Sequence, residues 1–275
     1  MLINAIHKDE ALLSVRDLTV NIDHWGKSFP VVDKVSFDLD HNQTFALIGE
    51  SGSGKTMTAL ALMGLLPKSA RIESGIIQYR GKTILPFGEL SFHQLHGKHM
   101  VMIFQDPSAA LNPVFSIGTQ LSDVVKTHLN LTTMLARQHI LDLFAKVGLP
   151  DPEWVYRAYP HQLSGGMAQR CMIALALSCN PQLIIADEPT SSLDVTTQMQ
   201  ILNLIRNLQN QHQFALLLIS HNISLLYGLV DTVAVMKSGK ILDMGTPGKI
   251  LSYPSHQYTR KLVKATLYVP QPYVS

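Results

Sequence analysis

The stretch GESGSGKT, from Gly49 to Thr56, has the spacing of a loop that binds phosphate groups. Its glycines let the backbone curl so that successive N–H groups point at phosphate oxygens, next to the positive end of the following helix. Lys55 would reach the β- and γ-phosphates of a nucleotide, and the Thr56 hydroxyl would bind Mg²⁺. The alternative is a flexible Gly/Ser loop with a chance lysine. The predicted phosphate site comprises Gly49, Glu50, Ser51, Gly52, Ser53, Gly54, Lys55, Thr56 and Met57.

Two adjacent acids, Asp187 and Glu188, end the apolar run LIIADE. In this position Asp187 can hold Mg²⁺, and Glu188 can orient and activate a water molecule. Taken alone, the pair would be two solvated acids at the end of a strand. Together with a complete phosphate loop, it predicts an Mg²⁺-dependent ATPase or GTPase.

A second helix start suited to anions occurs in LSGGM, well beyond the first. The Ser164 hydroxyl is a natural N-cap, and Gly165 and Gly166 expose their amides at the positive end of the next helix. Standing alone, this segment would be a Gly-Gly turn between two helices. One chain therefore carries two helix starts that could bind phosphate but only one loop lysine.

The elements that position these residues follow from apolar periodicity. Alternation in ALLSVRDLTVNI and VVDKVSFDLD predicts antiparallel strands with one covered face. QTFALIGE, HMVMIFQ, QLIIADE and FALLLIS are short apolar runs, typical of strands buried on both faces of a parallel sheet. Residues 117–179 have helical spacing, and TVAVMKSGKILDMG predicts a hairpin that turns at Ser238-Gly239. The predicted fold class is α/β, with a nucleotide-binding core, an N-terminal antiparallel β layer and an inserted helical subdomain.

Composition narrows the function classes. The net charge is only +2, with 22 basic and 20 acidic residues and no dense basic run, so we expect no nucleic-acid partner. No apolar run reaches the roughly 18 residues that span a bilayer, and the first ten residues lack a signal-peptide pattern. A membrane role would therefore be peripheral, on the cytoplasmic face. Cys171 and Cys179 are expected to be buried, reduced thiols.

The order of these motifs resembles the ATP-binding cassette (ABC) family over nearly the whole chain: GESGSGKT, Gln105 in IFQDP, LSGGM, LIIADE, SSLD and His221 in ISHN. The resemblance implies a P-loop NTPase (RecA-like) core, with ATP and Mg²⁺ as ligands. It also implies two ATPase subunits that face each other head to tail. Ser164, Gly165, Gly166 and Met167 would then contact the ATP held by the partner.

Further roles are implied by the same resemblance. Gln105 would sense Mg²⁺ and the attacking water, His221 would hold the γ-phosphate, and Asp194 would link the two sites. Met167 departs from the glutamine that many members have. The adenine-stacking aromatic of the family aligns with Ile22, which leaves Trp25 or Phe29 as alternatives.

Within the family, YRGKTIL, IFQDPSAALNPVFSIGTQL and YPSHQYTRKLVKA resemble the peptide/nickel importer branch. That branch implies two separate permease subunits, an extracytoplasmic substrate-binding protein and a second ATPase subunit, expected to be non-identical. No cysteine follows Cys179, which favours nickel or a metal chelate over small peptides as the substrate. An exporter ATPase or a soluble non-transport ABC ATPase is the alternative.

We expect a single nucleotide-binding domain over residues 1–275. Residues 1–105 and 181–236 would form the antiparallel layer and core, 106–180 the helical subdomain with the LSGGM motif, and 237–275 a C-terminal hairpin and short helical tail.

Overall fold

The computed structural model describes residues 11–85, 88–191, 193–223 and 228–267. The chain divides into two compact units, residues 1–92 with 230–275, and residues 93–229. The strands are β1 (Leu13–His24), β2 (Lys27–Leu39), β3 (Thr44–Ile48), β4 (Ala70–Tyr79), β5 (Lys82–Leu85), β6 (Met100–Ile103), β7 (Leu183–Asp187), β8 (Ala215–Ser220), β9 (Thr232–Lys237) and β10 (Lys240–Gly245). The α-helices are α1 (Lys55–Leu62), α2 (Phe92–Leu95), α3 (Pro107–Ala110), α4 (Ile117–Leu129), α5 (Thr133–Lys146), α6 (Pro152–Arg157), α7 (Gly165–Leu177), α8 (Val195–His212), α9 (Pro247–Ser252) and α10 (Gln257–Leu267), with a 3-10 helix at Pro160–Gln162.

An antiparallel sheet in the first unit has the strand order β2-β1-β4-β5. The alternation in β1 buries Leu13, Val15, Leu18 and Val20, as the period-two pattern predicts. The register with β4 shifts between Arg16 and Thr19 of β1, opposite Gly75 of β4. A Cβ atom at Gly75 would lie 2.6 Å from the Leu18 Cα atom, so this bulge requires glycine. Strands β4 and β5 were not predicted from the sequence.

The same unit contains β3, which pairs in parallel with β9, and β9 pairs antiparallel with β10. All five residues of β3 are buried, and the Phe45 ring stacks on Phe37 with centroids 4.8 Å apart. The β9–β10 turn places Ser238 at φ 47° and Gly239 at φ 82°, where the hairpin was predicted. The apolar run of β3 is thus explained by burial on both faces.

In the second unit, β6, β7 and β8 run parallel in that order. Every residue of β7 and β8 is buried, which is why these runs lack alternation. Helices α4 and α5 begin at the N-caps Ser116 and Thr132, whose side chains accept the N–H groups of Thr119 and Leu135. The predicted α/β class with parallel strands is therefore present.

Helices α3 to α7 occupy the stretch where the helical subdomain was predicted, but the second unit also contains β6, β7 and β8. The boundary of residues 106–180 as a separate subdomain stays a prediction. Cys171 and Cys179 are buried, and burial raises the pKa of the Cys171 thiol to about 12, so it stays protonated at neutral pH. Across the described ranges, no helix combines the length and apolar character needed to cross a bilayer.

Candidate functional site

The predicted phosphate loop lies in the first unit between β3 and α1. Two of its glycines are required by close backbone contacts. A Cβ atom at Gly49 would lie 2.1 Å from the Met236 carbonyl oxygen, and one at Gly54 would lie 2.4 Å from the Val31 carbonyl oxygen. Gly54 also has φ 104°, which side-chain-bearing residues rarely adopt. The loop is therefore held in one curled shape by the strands around it.

Lys55 lies at the centre of this curl and is only 4% exposed. Its ammonium group donates hydrogen bonds to the carbonyl oxygens of Gly49 and Glu50 at 2.8 and 2.9 Å, and to the Ser53 hydroxyl at 3.3 Å. A buried positive charge at the first residue of α1 adds to the positive end of the helix dipole. This position is suited to an anion.

Mg²⁺ prefers oxygen ligands from one or two protein groups together with substrate phosphates. In the first unit, Thr56 is an exposed residue at the start of α1. In the second unit, Asp187 carries a carboxylate at the end of β7 and is 5% exposed, and Gln105 carries an amide oxygen. Each is an oxygen donor of the kind that Mg²⁺ accepts, and their joint role at one ion stays a prediction.

Three predicted catalytic residues meet in the second unit. Gln105 follows β6, Glu188 follows β7 and His221 follows β8, so the carboxyl ends of three adjacent parallel strands bring them to one edge. The His221 Nδ1 atom lies 3.1 Å from Glu188 Oε2, and Gln105 Nε2 donates to the same oxygen at 3.5 Å. The Glu188 side chain is 18% exposed, whereas that of His221 is 58% exposed. The Glu188 carboxylate is thus oriented by two side chains at the carboxyl ends of the parallel strands.

The backbone of Glu188 is fixed in an unusual conformation, φ 45°. A non-glycine residue in this left-handed region carries strain that its surroundings must hold. Its N–H donates to the Ile219 carbonyl at 3.0 Å, and its carbonyl accepts from the N–H and the hydroxyl of Ser191, both at 3.2 Å. Ser191 was not predicted in this role from the sequence. Its position three residues after Glu188, typical of a serine-containing turn, was the available signal.

A cavity of about 60 Å³ lies beside Glu188 and His221. Ser220 and Asn222 also line it, and the Ser220 hydroxyl accepts the Asn222 N–H at 3.0 Å. The cavity is large enough to hold a water molecule next to the Glu188 carboxylate. A base that activates water needs a water molecule in that position.

The start of α7 is formed by the LSGGM segment, and Ser164 is its N-cap, accepting the Met167 N–H at 3.3 Å. A Cβ atom at Gly165 or Gly166 would make only ordinary contacts, 3.6 Å from Leu193 and 3.4 Å from Thr197. Alanine would favour the helix by up to about 1 kcal/mol over glycine. Packing among the described residues therefore gives no reason for two glycines here, and Gly165 is exposed.

These contacts also bring the start of α7 beside the segment that holds Asp194. Asp194 is the N-cap of α8, and its carboxylate accepts the Thr197 N–H at 3.0 Å. The backbone hydrogen bond from Thr197 lowers the pKa of Asp194. The structure thus gives Asp194 a capping role, and its predicted link between two sites stays a prediction. Ser192 of SSLD lies outside the described residues.

The three candidates for adenine stacking are at or near the β1–β2 hairpin. Ile22 of β1 lies opposite Phe29 of β2 in the register, so both side chains share one face of the sheet. Trp25, at the turn, is 90% exposed and Phe29 is 48% exposed. The choice among the three stays open.

The sequence of this chain is similar to those of known transport ATP-binding proteins. The family model described as ABC transporter matches residues 32–191. The dipeptide transport ATP-binding protein DppD of Bacillus subtilis is 42% identical over 92% of this chain and 76% of its own length. The peptidoglycan transport ATP-binding protein YejF of Agrobacterium fabrum is 44% identical over 93% of this chain, which spans only 47% of that protein.

Solved structures agree in fold. A dimeric ATP-binding cassette in a post-hydrolysis state, bound to ADP and Pi, has a TM-score of 0.75 at 20% identity, covering 86% of this chain and 98% of that one. The protein cbiO1 of Clostridium perfringens has a TM-score of 0.74 at 23% identity, covering 95% and 96%. At this identity the likeness shows the fold alone, and it confirms the predicted fold class. The matched family model, together with the 42% identity to DppD, shows that the chain belongs to the ABC transporter family.

Proposed function

We propose that this chain is the ATP-binding and ATP-hydrolysing subunit of an ABC importer that takes up small peptides through separate permease subunits. The observation that carries the proposal is that Gln105 and His221 both contact one carboxylate oxygen of Glu188, in a chain that also carries a preformed phosphate loop. Neither feature alone would distinguish an ATPase from a nucleotide-binding module.

In this mechanism Lys55 and the loop amides bind the phosphates of ATP, and Glu188 accepts a proton from the attacking water. His221 and Gln105 orient the Glu188 carboxylate, and His221 would also hold the γ-phosphate. Thr56, Gln105 and Asp187 are the residues that would hold Mg²⁺, which when bound neutralises charge on the phosphate oxygens.

The second helix start completes the site of another subunit. Ser164, Gly165, Gly166 and Met167 would contact ATP that is bound to the phosphate loop of a facing ATPase subunit, expected to be non-identical. The lack of a close internal contact at either glycine supports this role, because a close approach from outside the chain would explain glycines that internal packing does not require.

Replacing Ser164 with arginine should test that role. The bulky cation would occupy the start of α7, so we expect ATP hydrolysis by the assembled transporter to fall by more than about tenfold. Nucleotide affinity of this chain's own loop should stay within about twofold. ATPase rate and nucleotide binding are measured on the assembly and on the isolated chain respectively.

Ser164→Ala is the comparison variant, since it removes the hydroxyl group, and with it the N-cap worth about 1 kcal/mol of stability and any hydroxyl contact with ATP, but adds neither bulk nor charge. We expect it to lower hydrolysis less than the arginine variant does. If the arginine variant hydrolyses ATP at the parental rate in the assembly, the two-subunit site is wrong.

The proposed partners also include two permease subunits and, through them, an extracytoplasmic binding protein, with this chain on the cytoplasmic face of the membrane. Four apolar side chains near the starts of α4 and α5 are more than half exposed and offer area for a permease contact: Val114, Phe115, Met134 and Leu135.

The proposed substrate is a small peptide and not the nickel or metal chelate favoured from the sequence. Relatives at about 40% identity are named for dipeptide and oligopeptide transport, among them the oligopeptide transport ATP-binding protein OppD of Bacillus subtilis. The deciding experiment compares uptake of a labelled dipeptide and of labelled nickel by cells lacking this chain and by complemented cells. We expect loss of peptide uptake alone, and loss of nickel uptake alone would overturn the substrate assignment.

A further inference from the structure

The C-terminal helix α10 contacts the phosphate loop directly. Tyr258, its second residue, is 7% exposed, and its hydroxyl oxygen accepts the backbone N–H of Glu50 at 3.3 Å. Glu50 follows the first glycine of the loop and lies 208 residues earlier in the chain. No motif in the loop predicts this partner, and the family model match ends well before it, at residue 191.

The backbone that carries Tyr258 is fixed by hydrogen bonds in the turn that precedes α10. Asp243 of β10, 8% exposed, accepts the N–H groups of Ser255 and His256 at 2.8 and 3.1 Å. Arg260 donates to the carbonyl oxygens of Pro254 and Ser255 at 3.1 and 3.0 Å. The start of α10 is therefore tied to a buried carboxylate and is not a frayed helix end.

A cation also contacts Tyr258. The Lys237 ammonium lies 4.2 Å from the centre of the Tyr258 ring, within the range of a cation–π interaction. Lys237 ends β9, and two residues later the Gly239 N–H donates to the Ser53 carbonyl at 2.9 Å. Residues 237–258 thus hold the phosphate loop at two points, Glu50 and Ser53.

The contact at Glu50 bears on the loop lysine. The Glu50 carbonyl accepts hydrogen bonds from the Lys55 ammonium at 2.9 Å and from the Ser53 N–H at 3.2 Å. Glu50 is consequently held through its N–H by Tyr258 and through its carbonyl by Lys55. A shift of this residue would move one of the acceptors that sets the position of the lysine.

A buried tyrosine hydroxyl normally finds some hydrogen-bond partner, so a purely structural role is the simpler interpretation. That interpretation does not explain why the partner is a backbone amide of the predicted phosphate loop. We propose that Tyr258 is a positioning residue of the nucleotide site, which holds Glu50 so that Lys55 and the loop amides are aligned for the phosphates of a nucleoside triphosphate. This inference rests on the proposed nucleotide-binding function.

Tyr258→Phe tests it by removing only the hydroxyl group. In the assembled transporter we expect the KM for ATP to rise about three- to tenfold, the effect of losing one hydrogen bond, with kcat nearly unchanged. In the full chain without nucleotide, amide hydrogen exchange should become faster in the peptide covering residues 45–56 and stay unchanged elsewhere in the first unit.

Tyr253→Phe is the matched control, because Tyr253 belongs to the same tail but is 81% exposed. We expect it to behave like the parent chain in both measurements. Unchanged KM and unchanged loop exchange in Tyr258→Phe would overturn the proposal. A fall in melting temperature with faster exchange throughout the first unit would also overturn it, in favour of a structural role. If the parent chain binds no nucleotide, the proposed function fails, whereas the exchange measurement still decides whether Tyr258 holds the loop.

Discussion

Replacing Glu188 with glutamine is expected to lower ATP turnover by about 100-fold or more while leaving nucleotide affinity within about twofold of the parent chain. Glutamine keeps the length and most of the shape of the side chain, and its oxygen can still accept from Gln105. It cannot take a proton from water. General base catalysis contributes on the order of 10²- to 10⁴-fold, so the loss should be large and confined to the chemical step.

The measurement is steady-state phosphate release by the assembled transporter, with nucleotide affinity determined in parallel on the isolated chain. Glu73→Gln is a suitable control, since Glu73 makes an exposed ion pair with Arg71 on the antiparallel sheet. It should hydrolyse ATP at the parental rate. Parental turnover in Glu188→Gln would instead remove Glu188 as the base and leave the 3.1 Å contact with His221 as a structural one.

The elements that carry the site could be predicted because they are buried on both faces. Strands β3, β7 and β8 are short apolar runs, and a run without alternation indicates a parallel strand between two covering layers. Glu188 and His221 follow two of these strands directly. The two side chains therefore lie close together once the strands are known to be parallel neighbours. Local periodicity predicts the strands but does not determine which of them are neighbours.

Features that depend on contacts distant in the chain were missed. In β4 the residues Glu73, Ser74 and Gly75 interrupt the alternation, because glycine is required where the backbone approaches Leu18. The local pattern therefore does not indicate a strand. The left-handed conformation of Glu188 was equally unpredictable, since nothing in LIIADE signals a positive φ angle.

The tail illustrates the same limit in the functional site. The sequence predicted a hairpin and a short helix there, and β9, β10 and α10 are present. The contact between Tyr258 and Glu50 joins two segments that have no shared motif. Only the fold brings them together, so the residue could not be assigned to the phosphate loop from its neighbours in sequence.

Replacing Lys55 with alanine is expected to weaken ATP binding by about 10- to 100-fold, the range for losing hydrogen bonds to a charged group. The effect should exceed that of an ordinary contact for two reasons. The ammonium supplies positive charge for the phosphates, and it also bridges the carbonyl oxygens of Gly49 and Glu50, which shape the loop before any nucleotide arrives. Alanine removes both the charge and the bridge.

Lys55→Arg separates these two contributions, because the guanidinium keeps the charge but does not fit a pocket shaped for a compact ammonium that is 4% exposed. We expect arginine to recover less than half of the lost binding free energy. Nucleotide affinity is read from the rise in melting temperature with added ATP and Mg²⁺, since a ligand that binds only the folded state stabilises it. If Lys55→Ala retains parental affinity, the curl around Lys55 is a structural turn and phosphate binding must be sought elsewhere. If both variants lose affinity equally, the hydrogen bonds from Lys55 to the two carbonyl groups, and not its charge alone, determine how tightly the loop binds ATP.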